Sequence, residues 1–377
     1  MCYTEEKNGG QIMNIGLLGF GFMGKTHAYC LDNLKYFYRD LPFSAKITGV
    51  ATSRTETTAA AAAFLGCRPS TEEELIADPT VDIIDISTPN IFHYETLKRA
   101  IAAGKHVYCE KPLCVTAAEA REVAELARKA GITAQVVFNN RRLPAVMRAK
   151  ELIEEGRLGR ILSFRFDYIH ASAADPNRPA GWKQDKSVCG AGTLFDLGSH
   201  AVDMLTHLCG EVASVKAISQ IAYPTRIGRD GKPWQTNADE AFYLLCKTVG
   251  GACGTVTVSK IAVGTNDDFS FEVYGERGSL KFSLMDLNWL YFYDASRPDG
   301  HHGGERGYTR IECCGRYELP SGIFPSPKAP IGWLRGHMHS MYEFLAAVHE
   351  GRPATPDFTA AAHVQEILDM ALRDAEI

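Results

Sequence analysis

No stretch of this sequence stays apolar for the roughly 18 consecutive residues that a spanning helix needs, and the opening MCYTEEKNGGQI lacks the charged-then-apolar layout of a secretory signal. Both absences lead to the expectation of a cytoplasmic protein. An excess of positive charge is missing too. Forty Lys and Arg stand against 45 Asp and Glu, a formal net charge of −5, so nothing draws the chain electrostatically to nucleic acid or to an anionic membrane. Eleven cysteines are present, yet none are spaced as Cys-x-x-Cys. That scatter speaks against a zinc ribbon or a disulfide framework, and the thiols read as reduced, mostly buried small residues. Internal repeats and low-complexity tracts are also absent.

What is present is a chain of 377 residues, 45% hydrophobic and 23% charged, enough for two domains sharing one interface. Residues 1–12 read as a flexible extension. From Met13 the strand-like runs MNIGLLG, KITGVAT, VDIIDIS, HVYCE and TAQVVF alternate with helix-like stretches, which predicts an α/β fold: a doubly wound, Rossmann-type parallel sheet over 13–138. Over 139–377 one helix, PAVMRAKELIEEGRLG, gives way to successive strands, predicting an α+β domain with an open, mostly antiparallel sheet and a C-terminal helix. Residues 172–188 and the Gly- and Pro-rich 294–332 read as long loops.

Four segments carry chemistry. GFGFMG (Gly19, Gly21, Gly24, with Phe22 and Met23 between them) follows a strand and opens a helix, the context in which Gly-x-Gly-x-x-Gly cradles a dinucleotide pyrophosphate. The second strand ends in Thr52, Ser53 and Arg54 instead of the acid that usually holds the adenosine ribose; NAD is the expected cofactor and NADP stays open. GKHVYCEKP sets Glu110 and Lys111 at a strand end, where ligands bind in such sheets, and Pro112 restricts the lysine. GAGTLFDLGSHAVD spaces Asp196 and His200 four apart, one face of a helix, with Asp203 three further on as a neighbour, a cap or an ion-pair partner.

These segments resemble those of the Gfo/Idh/MocA oxidoreductases, which implies oxidation of a secondary alcohol: a hydroxyl proton is removed while a hydride leaves carbon, so the site needs a base and a cation beside the developing oxyanion. His200 suits the first role and Lys111 the second, with Asp196 orienting the ring or gripping a neighbouring hydroxyl. Asn140 and Arg141 are candidates for sugar hydroxyls or for the start of a helix. Trp182, beside Lys183, suits an apolar sugar platform. His337 and His339 stand two apart with no evident carboxylate or cysteine partner, so they read as solvated or substrate-facing, and no metal is expected.

Taken in order, GFGFMG, STPNIFHYE, GKHVYCEKP, FNNRRLPAV and GAGTLFDLGSHAVD resemble the Gfo/Idh/MocA oxidoreductases, relatives of glucose-fructose oxidoreductase and inositol dehydrogenase, over essentially the whole chain from Met13. The resemblance implies that Lys111, Asp196 and His200 meet at the nicotinamide end and that Thr88, Pro89, Asn90 and His93 line the nicotinamide ribose. It implies oxidation of a sugar or cyclitol hydroxyl to a ketone, or the reverse. Ala191 within the glycine triplet and the missing second-strand acid depart from the pattern. The resulting expectation is an NAD(P)-dependent dehydrogenase acting on a sugar, a glycoside (C3 of a glucoside is favoured, given the two long loops) or an inositol. Two alternatives stand beside it: an NAD-dependent glycosidase of the same family with no net redox change, and a non-enzymatic sugar sensor. A homo-oligomer, dimer, tetramer or higher, is expected through the second sheet.

Overall fold

The structure is a computed structural model and describes residues 10–228, 230–322 and 324–375. Its first half alternates β1 (Gln11–Leu18), α1 (Phe22–Phe37), β2 (Phe43–Ala51), α2 (Thr55–Leu65), β3 (Arg68–Pro69), α3 (Glu72–Ala77), β4 (Ile83–Ile86), α4 (His93–Ala102), β5 (His106–Cys109), α5 (Ala117–Ala130) and β6 (Ala134–Val136). Among the described residues these strands form one parallel sheet in the order β3-β2-β1-β4-β5-β6, the doubly wound arrangement. All four residues of β4 are buried, because helices cover the sheet on both faces. Local signals start the helices: Thr71 and Glu74 form a reciprocal capping box on α3, and the Thr116 side chain accepts from Glu119 N on α5. Of the extension expected over 1–12, residues 1–9 lie outside the described residues, and Gln11 and Ile12 are already strand, paired with Phe43 and Ser44.

The second half runs α6 (Pro144–Glu154), β7 (Ile161–Ile169), α7 (Lys186–Cys189), α8 (Ser199–Cys209), β8 (Val212–Gln220), β9 (Thr225–Ile227), β10 (Pro233–Gln235), β11 (Ala241–Thr248), β12 (Cys253–Ser259), β13 (Asp268–Gly275), β14 (Gly278–Ser283), β15 (Trp289–Asp294), β16 (Tyr308–Glu312), α9 (Trp333–Glu350) and α10 (Phe358–Ala375). Its large sheet has the order β16-β15-β14-β13-β7-β12-β11-β8 among the described residues, antiparallel throughout except where β12 lies parallel to β7. Alternation decides its faces. In β11, Phe242, Leu244 and Cys246 point into the core that residues of α8 and α10 also fill, whereas Tyr243 and Leu245 point out. Loop 294–332 is not wholly irregular: it carries β16 as an edge strand on β15. Residues 172–188 likewise hold a short turn at Trp182–Gln184 and α7.

The terminal segment folds as two helices that part company. α10 packs on α5, α8 and β8, but α9 returns to the nucleotide half, where Met338, Met341, Phe344 and Leu345 share a core with Met13, Ile15, Leu31 and Tyr108. Among the described residues no helix is long and apolar enough to cross a membrane.

Candidate active site and its relatives

The glycine loop folds as its spacing requires. Gly19 has a φ of +92°, a region that disfavours a side chain, and a Cβ on Gly24 would sit 2.2 Å from Gly19 O, so the start of α1 must lie close over the strand. A Cβ on Gly21 would meet nothing within 4 Å: the space over the loop is open. Gly21 caps α1 with no side-chain partner among the described residues, and no acidic residue stands in the first turn. Free N–H groups and the helix dipole therefore face that space, the donor set a pyrophosphate needs. Phe22 is exposed and stacks on Trp333 of α9 at 5.8 Å, and Met23 sits half-buried behind it.

At the end of β2 Thr52 is turned inward, its hydroxyl 2.6 Å from Thr57 Oγ1 and 2.9 Å from Thr58 Oγ1, and Ser53 and Arg54 are exposed. After β4, the Thr88 hydroxyl is buried without a hydrogen-bond partner among the described residues. An orphaned donor at the carboxyl edge of the sheet fits a ribose hydroxyl. Pro89 follows in extended conformation. Two neighbours do otherwise than expected. Asn90 Nδ2 donates to Cys189 O at 2.9 Å, and His93 is fully buried, its nitrogens 3.0 and 2.9 Å from the carbonyls of Pro112 and Thr88. His93 therefore pins two loops together instead of presenting its ring to the ribose.

Lys111 follows β5, and its bond to Pro112 is cis. Its Nζ crosses to the second half, donating to Asp196 O at 2.8 Å and to Asp196 Oδ1 at 3.0 Å. Asp196 does not share a regular α-helix with His200. It sits in a π-helical turn, Leu194–Gly198, directly before α8, the kind of irregularity that accumulates at functional sites. Two more ammoniums meet its other oxygen: Lys183 Nζ at 2.6 Å and Lys260 Nζ at 3.0 Å. Burial pushes the carboxyl up, but Lys260, Lys111 and Lys183 together pull it well below the usual carboxylate range. His200 is buried, with Nδ1 unpartnered among the described residues, and its ring lies between Phe138 and Tyr168. Burial, reinforced by the Lys111 charge, holds its pKa well below the ordinary imidazole value, so it is neutral.

The glycines before this turn serve packing instead of opening the backbone to a ligand. A Cβ on Gly192 would fall 2.0 Å from Asp239 O, and one on Gly190 2.6 Å from the Phe195 ring. The Asp239 carboxylate accepts from Gly192 N and Leu194 N, both at 2.8 Å, which fixes the turn that carries Asp196.

Other candidates separate. Arg141 is committed to Asp203 through two hydrogen bonds of 2.9 and 2.6 Å, and Asn140 is buried. Trp182 is 38% exposed, with Lys183 Nζ 5.6 Å from its ring centroid, and stays available as a platform. His337 and His339 are not solvated: they are 3% and 6% exposed. His339 Nδ1 bonds Tyr38 Oη at 2.9 Å. His337 has a carboxylate nearby that was not evident in sequence: one of its nitrogens lies within 4.8 Å of ligand atoms of Glu110 and His27, without a hydrogen bond to either. Glu110 is buried on His27 Nε2 at 3.1 Å; burial raises its carboxyl, but His27 and Lys111 bring it down to about 2.

Residues 13–138 match the family described as "Oxidoreductase family, NAD-binding Rossmann fold", and residues 146–281 match "GFO/IDH/MocA C-terminal domain". Levoglucosan dehydrogenase of Pseudarthrobacter phenanthrenivorans is 33% identical over 380 residues, covering 97% of this chain and 96% of the relative. The chain belongs to the Gfo/Idh/MocA family. A solved levoglucosan dehydrogenase in complex with NADH and levoglucosan superposes with a TM-score of 0.91 at 33% identity, covering 97% of this chain and 98% of that one. D-xylose dehydrogenase of Paenarthrobacter nicotinovorans is 34% identical over 216 residues, 55% of each chain. As a Gfo/Idh/MocA member the protein is an oxidoreductase, with its NAD-binding domain over residues 13–138.

Proposed function

We propose that the protein is an NAD-dependent dehydrogenase that oxidises a secondary ring hydroxyl of a sugar, glycoside or cyclitol to a ketone. The observation that carries this reading is the reach of Lys111 from the nucleotide half to Asp196 in the other half, beside a neutral, buried His200. Bound NAD supplies the hydride acceptor. The chain supplies the rest: His200 takes the hydroxyl proton, Lys111 stabilises the oxyanion, and Asp196, ionised under its three ammoniums, positions Lys111 and holds an adjacent hydroxyl. Names of relatives agree, being dehydrogenases of levoglucosan and D-xylose.

Within that class a pyranose or pyranoside, oxidised at C3 for a glucoside, is the favoured substrate, because Trp182 and Lys183 give the site an apolar plate beside a charged group. The exposed Ser53 and Arg54 leave room for NADP as a second cofactor. Purified protein incubated with NAD or NADP against levoglucosan, free sugars, glucosides and inositols should form NADH in step with a keto product. Glycoside hydrolysis without NADH release would replace this reading with the redox-neutral glycosidase, and no turnover of any member with tight sugar binding would replace it with the sensor.

The same reading includes a homo-oligomer built on the open face of the large sheet. There Arg165, Glu272 and Lys281 lie side by side across β7, β13 and β14, a row of alternating charge, and Leu245 and Ile218 stand exposed at 58% and 69%. Sedimentation that finds only monomer would remove it.

A further inference from the structure

A buried polar cluster lies behind Lys111 and takes no part in the proposed reaction. His27 comes from α1, Glu110 from the end of β5 and His337 from α9, and one ligand atom of each lies within 4.8 Å of the others. His27 is held from behind by Asp85, whose Oδ1 is 2.8 Å from Nδ1. With a proton on Nδ1 for Asp85, the Nε2 lone pair faces Glu110 Oε1 at 3.1 Å. Two acceptors face each other there, and something positive must stand between them. A proton answers that pair alone. It leaves His337, both of whose ring nitrogens are buried without a partner among the described residues. A divalent ion answers all three ligands at once, and it balances the two buried carboxylates, Asp85 and Glu110.

We propose that His27, Glu110 and His337 form a site for a divalent transition ion of the zinc or cobalt kind, with Asp85 as the outer carboxylate that orients His27. Two imidazoles and one carboxylate favour zinc, cobalt or nickel over magnesium or calcium, and a carboxylate behind a ligating histidine is the usual supporting arrangement. The ion is structural: it ties α1, which carries the glycine loop, to the strand end that carries Lys111 and to α9. No step of the hydride transfer passes through it.

The test uses the full chain, without sugar or dinucleotide. Protein expressed in medium supplemented with Zn²⁺ or Co²⁺ and then desalted should retain roughly one ion per chain, show visible cobalt absorption, and melt at a higher temperature than protein treated with chelator. His337→Ala and Glu110→Gln should each lower metal affinity at least about ten-fold. Wild-type protein holding less than about a tenth of an equivalent after loading overturns the site without any variant, which covers the case of variants that do not fold. Full metal content in a folded His337→Ala also overturns it. A metal-free wild type whose His337→Ala variant is altered only in NAD affinity assigns His337 to the dinucleotide and overturns the metal site too. None of these outcomes touches the NADH assay, so either reading can fail alone.

Discussion

Lys260 Nζ lies 3.0 Å from Asp196 Oδ2, the same oxygen that Lys183 holds at 2.6 Å, so one partly buried carboxylate gathers cations from β5's end, from the 172–188 segment and from the end of β12. Each ammonium has a different job. Lys111→Ala should lower kcat by about 10²–10⁴-fold with NAD affinity little changed, and Lys260→Met by about ten-fold, since it removes one support of Asp196 and leaves the others. Steady-state kinetics beside NADH binding titrations measure both. Equal losses from the two would contradict this division of roles.

Stability should fall as the medium is acidified below about pH 6.5. Burial holds His200 and His339 well below the ordinary imidazole pKa, and His207 at about 2. Above about pH 6.5 these rings are neutral folded or unfolded. Below it the unfolded chain takes up protons that the folded chain refuses, so folding loses free energy as pH drops. In metal-free protein His27 runs the other way: burial lowers its pKa, but Asp85 and Glu110 raise it to about 10, so its contribution grows as pH falls from about 10 to the ordinary imidazole range and is constant below it. Melting temperatures from about pH 6.5 down to about pH 5 should therefore decline, and a flat or rising series over that window would contradict the assignment.

Gly192→Ala should cost about 2–4 kcal/mol, because the new methyl group would press on the carbonyl of Asp239 at 2.0 Å, backbone that cannot step aside. Chemical denaturation measures the loss. The same variant should lose activity in its folded fraction, since the turn carrying Asp196 must shift.

Removing one side of the Arg141–Asp203 pair should cost about 3–5 kcal/mol, with the side chains only 10% and 2% exposed. Arg141→Ala strands a buried carboxylate. Breaking the exposed pair of Arg128 and Glu125 should cost less than about 1 kcal/mol. Urea unfolding of the two variants side by side distinguishes them; similar losses would show that the Arg141 pair is solvated in solution.

Much of the architecture was legible because it rests on local signals. Strand–helix alternation marked the nucleotide half, the period-2 runs marked β7, β8 and β11 to β15, and Gly19, Gly21, Gly24, Lys111, Asp196 and His200 stood in short motifs. What stayed hidden depends on distance along the chain. Lys260 ends an ordinary strand, and nothing near it names Asp196 as its partner. Asp239 is one more acid in a turn until the fold lays it under Gly192. β16 has too few apolar residues to declare itself, being an edge strand with one side in solvent. His93 sat in a motif segment yet points inward, because two carbonyls it could not announce compete for its ring. α9 misleads most: its apolar face reads as an ordinary terminal helix, but the surface it covers belongs to α1 and the first strand.

That return of α9 means that the polypeptide crosses between the halves more than once, near residues 138–144 and again around residues 332–358. A single tether would let two lobes swivel like beads on a thread. Three crossings, one near residues 138–144 and one on each side of α9, brace the two halves against each other, and the Lys111–Asp196 contact spans the seam they hold together.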